Sequence, residues 1–240
     1  MPFFKGTTGH DNLVGTDLAD LIFGDAGNDT INGGGGNDKL AGEDGNDTFL
    51  GGAGADQMSG GAGVDTVDYS GSVTGVTVDL RTGTGSRGDA EGDTLSGIEN
   101  LIGSNGPWAD TLTGDSNDNI LDGRRGADFL FGNEGKDTII GGMGNDTMAG
   151  GAGPDTFVFN PFFYADGRIQ GDNNDVITDF KVGTDVIEFT GAVVNSLADL
   201  SFSKVGHDTV IEYGGYNSIT LVGVSFEQLM ANQAHDFLFS

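Results

Sequence analysis

The sequence predicts an all-β fold: a parallel β-roll, or β-solenoid, in two repeat blocks with a β-rich C-terminal cap. Three observations carry that expectation. Residues 24–59 read GDAGNDTIN, GGGGNDKLA, GEDGNDTFL and GGAGADQMS, four units of nine residues. Each has glycine at its first and fourth places and aspartate at its sixth. The eighth place is apolar throughout: Ile31, Leu40, Phe49 and Met58. Glycines at places one, two and four admit positive φ without a Cβ penalty, so the first six residues make a wide turn. The last three form a short strand that buries the eighth side chain. Two units then close one coil of about eighteen residues. Coils stack at the ordinary strand spacing of about 4.8 Å, which lays turns n and n+2 one above the other.

Facing turns present main-chain carbonyls, the carboxylate of place six and often an Asn or Asp oxygen from place five. A hard cation that takes six to eight oxygens at about 2.3–2.6 Å fits such a gap. No nitrogen or sulfur ligand is offered, which argues against zinc and copper. Composition agrees. The 240 residues carry 10 Lys+Arg against 37 Asp+Glu, a formal net charge of -27. Nucleic acid and anionic membrane both need a basic face and are poor partners. The natural partner is a cation. Leu, Ile, Val and Phe make up roughly a quarter of the chain, close to the disordered range. A metal-free chain this acidic should repel itself and resist folding. There is no cysteine, hence no disulfide and no thiol chemistry. The N-terminus shows no charged segment followed by a long apolar run, so no Sec-type signal is visible. No stretch approaches 18 apolar residues, so no membrane span is expected.

In chain order, degenerate units open at Gly6 (GTTGHDNLV) and Gly15 (GTDLADLIF), as the terminal coil of a repeat array usually does. The well-formed units follow, and Gly60 opens the last of this block, so the first roll block is 1–70. Residues 71–102 break the period. VTVDL at 76–80 alternates like a strand, RTGTGSRGDAEGD at 81–93 reads as a solvated glycine-rich loop, and LSGIENLI at 95–102 returns to strand spacing. Asp89, Glu91 and Asp93 offer a rival cation site there. The period resumes over 103–159, stretched by an insertion with Pro107 and Trp108. Units open at Gly114, Gly123, Gly132, Gly141 and Gly150. Lys136 and Pro154 at place five supply no side-chain oxygen, and Asn119 at place six lacks charge, so these sites should be weaker. Residues 160–240 read as a cap over the open end of the roll. They hold strands on both sides of Val182-Gly183, three further strands, and a short helix over 225–233 with Ser225 as N-cap.

The units of residues 6–159 resemble the hemolysin-type calcium-binding, or RTX, family. Residues 75–104 resemble the spacer such proteins carry. DVITDFKVGTDVIEF and the terminal SITLVGV and DFLFS resemble the C-terminal region of serralysin-like, type I secreted proteins. In that family calcium takes the carbonyls of places one and three and the side chain of place five from one turn. From the partner turn it takes the carbonyls of places two and four and the aspartate of place six. The resemblance therefore implies, as metal ligands, Gly24, Ala26, Asn28 and Asp29, then Gly33, Gly35, Asn37 and Asp38, then Gly42, Asp44, Asn46 and Asp47. It adds Gly52, Gly54 and Asp56, with Gly61, Gly63 and Asp65. In the second block it implies Gly126 and Asp128, Gly135 and Asp137, Gly141, Met143, Asn145 and Asp146, and Gly151, Gly153 and Asp155. About nine ions would be held if each facing pair takes one. Asp11 and Asp20 match only at place six.

No catalytic constellation is legible. His10, His207 and His235 are isolated, there is no H-E-x-x-H, and no serine sits in a G-x-S-x-G elbow. Carboxylate pairs are so common here that no one pair points to glycosidase chemistry. Phe157, Phe159, Phe162, Phe163 and Tyr164 read as core packing between roll and cap. The expected function is that of a secreted calcium-binding protein with a surface, adhesion or host-contact role. Its partners would be calcium, the type I secretion machinery and an extracellular polysaccharide or host surface. The alternative is an accessory module of a modular extracellular enzyme, a polysaccharide epimerase or lyase, or a protease. Repeats starting at Gly6 leave no room for a catalytic domain before them, which favours the first.

Overall fold

The computed structural model describes residues 1–161, 173–191, 193–215 and 217–240. Among these, regular structure is almost entirely strand, in a 14-stranded and a 10-stranded sheet. The nine-residue period assigns each strand to its sheet. Successive units alternate sheets, so units two apart become neighbours. Ile22 pairs with Leu40 and Leu40 with Met58 in one sheet. Ile31 pairs with Phe49 and Phe49 with Val67 in the other. The pairing is parallel, as a coil of two nonapeptides requires. The result is a parallel β-roll.

The eighth place supplies the core. Ile22, Ile31, Leu40, Phe49, Met58 and Val67 are buried, as are Leu112, Leu121, Leu130, Ile139, Met148 and Phe157. They form one continuous cluster. Strand alternation turns the flanking seventh and ninth places outward. Each fully buried apolar side chain of this size contributes about 1.5–3 kcal/mol.

Residues 71–102 keep the sheets continuous but unequal. In the larger sheet, Thr94–Ser96 runs parallel to Gln57–Ala62. Thr84–Ser86 then pairs antiparallel with it and with Thr77–Asp79. Thr77–Asp79 in turn lies parallel to Thr111–Thr113. The smaller sheet takes only Asn100–Ile102, parallel to Thr66–Asp68 and Ile120–Asp122. The stretch read as a solvated loop ends in a buried residue. Asp93 is 1% exposed, and its carboxylate accepts from the Asp56 N–H and the Tyr69 hydroxyl. It occupies the position of a place-six aspartate, which the polar composition around it concealed.

The strands flanking Val182-Gly183 belong to opposite sheets. Asn174–Ile177 extends Thr147–Ala152, and Val186–Phe189 extends Thr156–Phe159, both in parallel. They add another coil instead of pairing as a hairpin. Asn217–Leu221, Asp208–Tyr213 and Leu200–Val205 complete the larger sheet, the last two by antiparallel pairing. The helix α1 (Phe226–Asp236) starts as expected, with the Ser225 hydroxyl accepting from the Gln228 N–H at 3.4 Å. It runs past Gln233 to Asp236, because no glycine or proline stops it earlier. Phe237–Phe239 pairs in parallel with Val186–Phe189 and ends the smaller sheet. Phe157 and Phe159 are buried where roll and cap meet. Phe162, Phe163 and Tyr164 lie outside the described residues.

Candidate metal centre

The place-six aspartate joins one coil to the next. Its Oδ1 accepts from the place-six N–H eighteen residues earlier. Asp29, Asp47 and Asp65 take N–H groups from Asp11, Asp29 and Asp47, each at 2.8 Å. Asp38 and Asp56 take those of Asp20 and Asp38. In the second block the same bonds join Asp110 to Asp128 and Asp128 to Asp146, and Asn119 to Asp137 and Asp137 to Asp155. Glu99 stands in for an aspartate above Asp65, with its Oε2 2.8 Å from the Asp65 nitrogen.

The second oxygen is left over. Oδ2 of Asp29, Asp38, Asp47, Asp56, Asp65, Asp128, Asp137, Asp146 and Asp155 is buried and has no hydrogen-bond partner. Each of these residues is at most 1% exposed. None forms an ion pair among the described residues. Burial disfavours the charged form, against the opposing pull of the ladder N–H. It raises Asp38 and Asp65 to about 6, Asp137 to about 7 and Asp128 to about 8. Neighbouring carboxylates push in the same direction: Asp56 and Asp20 on Asp38, Asp146 and Asp110 on Asp128. Asp146 rises to about 6, from burial alone, and Asp47, Asp56 and Asp155 are raised as well.

Place five faces the other way along the stack. Oδ1 of Asn28, Asn37 and Asn46 accepts from the N–H of Asn46, Ala55 and Val64, and that of Asn145 from Asn174. One gap thus receives the place-five oxygen of one turn and the place-six carboxylate of the next turn on that side: Asn28 with Asp47, Asn37 with Asp56, Asn46 with Asp65. Carbonyls enter from both turns. Those of place two point forward, as the Arg124 oxygen does to the Met143 N–H. Those of place three point back, as the oxygens of Asp44, Ala62 and Met143 do to the N–H groups of Gly27, Gly45 and Gly126. Main-chain carbonyls of places two and three are therefore grouped with places five and six respectively. The family pattern groups them the other way, and the parallel ladder through the turns sets the grouping here.

Glycine is needed where turns touch. A Cβ at Gly54 (φ 145) would run into the Gly36 carbonyl, and one at Gly63 (φ 144) into that of Gly45. Gly52, Gly61, Gly151 and Gly153 lie equally close to carbonyls of Gly34, Glu43, Asn133 and Gly135. Gly126 and Gly135 (φ 143 and 117) face the Trp108 and Asn117 carbonyls. The carbonyls of Gly24, Gly33 and Gly42 sit against Gly6, Gly15 and Gly24, and that of Gly141 against Gly123. Ala26 and Gly35 end strands within the same turns.

No three His, Cys, Asp or Glu side chains converge among the described residues. Each gap instead offers one half-bonded buried carboxylate amid main-chain oxygens. That all-oxygen set, with a carboxylate that lacks a partner, fits a calcium ion.

Sequence reasoning missed Asp175 and Asp185, which continue the ladder by accepting from the N–H groups of Asp146 and Asp155. Both sit in D-V-I, which keeps the aspartate and the apolar residue two places on. Asn173 replaces the place-four glycine before Asp175, and Phe180 and Lys181 replace the first two before Asp185, where only Gly183 at place four remains. Asp118, at place five, accepts from the Lys136 N–H.

A family model described as the RTX calcium-binding nonapeptide repeat (4 copies) matches residues 5–40, 33–67, 93–130, 109–138 and 122–157. No curated protein matches the chain. Among solved structures it is similar to the extracellular lipase LipA from Serratia marcescens, at 24% identity and a TM-score of 0.32. That likeness covers 98% of this chain and 40% of the lipase. It is also similar to the AlgE6R3 subunit from the Azotobacter vinelandii mannuronan C5-epimerase, at 29% identity and a TM-score of 0.40. There 55% of this chain and 78% of that one are covered.

Proposed function

The chain belongs to the RTX calcium-binding nonapeptide repeat family, and on that premise we propose that it is a secreted protein whose roll folds when it binds extracellular calcium. The observation that carries the reading is the set of nine buried place-six Oδ2 atoms with no partner among the described residues. A buried charge without compensation costs several kcal/mol, which cancels the gain from one or more core side chains at about 1.5–3 kcal/mol each. The repeat supplies one of each per nine residues. Bound calcium supplies the missing positive charge at each carboxylate. The chain's own residues do the rest: the ladder fixes Oδ1, the turn glycines bring carbonyls close, and place five adds a neutral oxygen in the better-formed gaps. Binding energy then becomes folding energy. About nine ions would offset about +18 of the -27.

We take 1–70 and 103–159 as the two roll blocks, 71–102 as the spacer and 160–240 as the cap with the export signal. Where calcium is scarce, inside the cell, the chain stays expanded and fit for a type I transporter. Outside, at millimolar calcium, affinities of order 10⁻⁴–10⁻³ M suffice. The sequence has no legible catalytic motif, so the role is read as surface, adhesion or host contact, with an extracellular polysaccharide or host surface as partner. Among the described residues no helix is long and apolar enough to cross a membrane. Far-UV circular dichroism tests the reading: excess chelator should remove the β spectrum and millimolar calcium should restore it. A β spectrum unchanged by chelator overturns the folding switch.

A further inference from the structure

This inference rests on the calcium reading above and concerns which turns accept an ion. In the nonapeptide turns, place-six side chains have two fates. Asp93 of the spacer stands apart, its second oxygen accepting from the Tyr69 hydroxyl while the Asp89 N–H bonds the Ser72 hydroxyl. In the nine turns where Oδ2 lacks a partner, place two always has positive φ, between 68 and 121. It is glycine in five of them and Asp25, Glu43, Arg124 or Asn133 in the other four (φ 79, 77, 68 and 82). In five further turns place two is Thr7, Thr16, Ser104, Asp115 or Lys181, and none of these has positive φ. There the place-two N–H donates to its own place six. Thr7 bonds Asp11 and Thr16 bonds Asp20, both at 2.6 Å, and Ser104 bonds Asp110 at 2.7 Å. Asp115 bonds Asn119 and Lys181 bonds Asp185, both at 2.8 Å.

Rotation about the place-two N–Cα bond explains the division. In the left-handed conformation the amide points away from the carboxylate. Gly151 shows where it goes: its N–H bonds Asp179 at 2.8 Å, leaving Asp155 Oδ2 free of it. We propose that the backbone conformation at place two decides whether a turn takes a cation. In the nonapeptide turns a left-handed residue leaves the carboxylate oxygen open, and a residue without positive φ closes it with the turn's own N–H.

The closed turns lie where strings of open ones begin or stop. Asp11 and Asp20 sit at the first coil, and Asp110 and Asn119 where the period resumes. Asp185 sits above the last open turn. That last gap is also filled from within, because the Lys181 ammonium donates to the Gly151 carbonyl. This is a place-two carbonyl of the turn below. Lys181 thus contributes twice, its N–H to Asp185 and its Nζ to the oxygen facing it.

Native mass spectrometry of the full chain in calcium chloride reads the ion count directly. Glu43 is exposed and left-handed, a conformation that β-branched residues resist. Glu43→Thr should bind one ion fewer than wild type, and Glu43→Gly the same number. Lys181→Gly should gain one ion. Lys181→Ala removes the ammonium but favours negative φ, so its count should not change. Equal counts in Glu43→Thr and Glu43→Gly, or no gain in Lys181→Gly, overturn the inference. So does an equal gain in Lys181→Ala, which would assign closure to the ammonium alone. A wild-type chain that takes up no calcium overturns the calcium reading itself; a wild type that binds calcium while every variant keeps its count overturns only the role of place two.

Discussion

A single aspartate side chain does two separable jobs here. Oδ1 of Asp47 is a structural acceptor for the Asp29 N–H, while its Oδ2 has no protein partner. Asp47→Ala removes both and leaves a buried N–H unpaired, at about 1–3 kcal/mol. Asp47→Asn keeps an oxygen for the ladder and removes only the charge. Asn119 differs, because its Oδ1 already accepts from Asp115 and its Nδ2 donates to the Glu99 carbonyl at 2.7 Å. Isothermal titration should therefore rank the variants. Asp38→Ala and Asp47→Ala should lower calcium affinity and cooperativity most, Asp47→Asn should weaken binding while the calcium-loaded fold persists, and Asn119→Ala should change binding least. Equal damage from Asn119→Ala and Asp47→Ala would mean that place in the repeat does not identify the ligands.

The terminal elements are both a fold closure and the candidate address. Leu229 on α1 and Phe237 on the last strand are buried, and Phe237–Phe239 covers the edge of Val186–Phe189. A signal read before folding can be buried afterwards, and chain ends are freest to be read at that stage. Deleting residues 226–240 should abolish type I secretion while leaving the repeat blocks able to bind calcium, with a lower melting temperature from the uncovered edge. Normal secretion of the truncated chain would place the signal elsewhere. Loss of all calcium binding would make the tail chiefly a closing element. The same elements show what a sequence reveals and what it hides. The column from Ile22 to Phe157 was legible because one apolar residue recurs at a fixed place. Asp175 and Asp185 were not, because Asn173 stands at the place-four glycine of one turn and Phe180 and Lys181 at the first two places of the other. The coil formed by Asn174–Ile177 and Val186–Phe189 was hidden too, since alternation identifies a strand but not the sheet it joins. The closed turns at Ser104 and Lys181 depend on a backbone angle that no residue pattern announces.

At the scale of the whole molecule, the roll sets a short apolar core against a long file of buried acids. Fourteen and ten strands share one apolar core, and among the acids facing the gaps burial raises Asp38, Asp65, Asp137 and Asp128 to about 6–8. A folded carboxyl that titrates above its unfolded value of 3.8 binds more protons than the unfolded chain between the two values. Stability of the metal-free roll therefore falls as pH rises through that window. It is greatest below the unfolded value, declines from about pH 4 to about pH 8, and levels off once the folded carboxyls have also ionised. Calcium reverses the trend, because protons compete with it for the same oxygens. In excess chelator, the β signal by circular dichroism should be stronger at pH 5.5 than at pH 8, while remaining above the precipitation-prone region near the pI of about 4.1. In saturating calcium, the melting temperature should move the opposite way over the same interval. A chelated chain equally disordered, or more disordered, at pH 5.5 would show that self-repulsion of the exposed acids, rather than burial of the ladder carboxylates, keeps the metal-free protein unfolded.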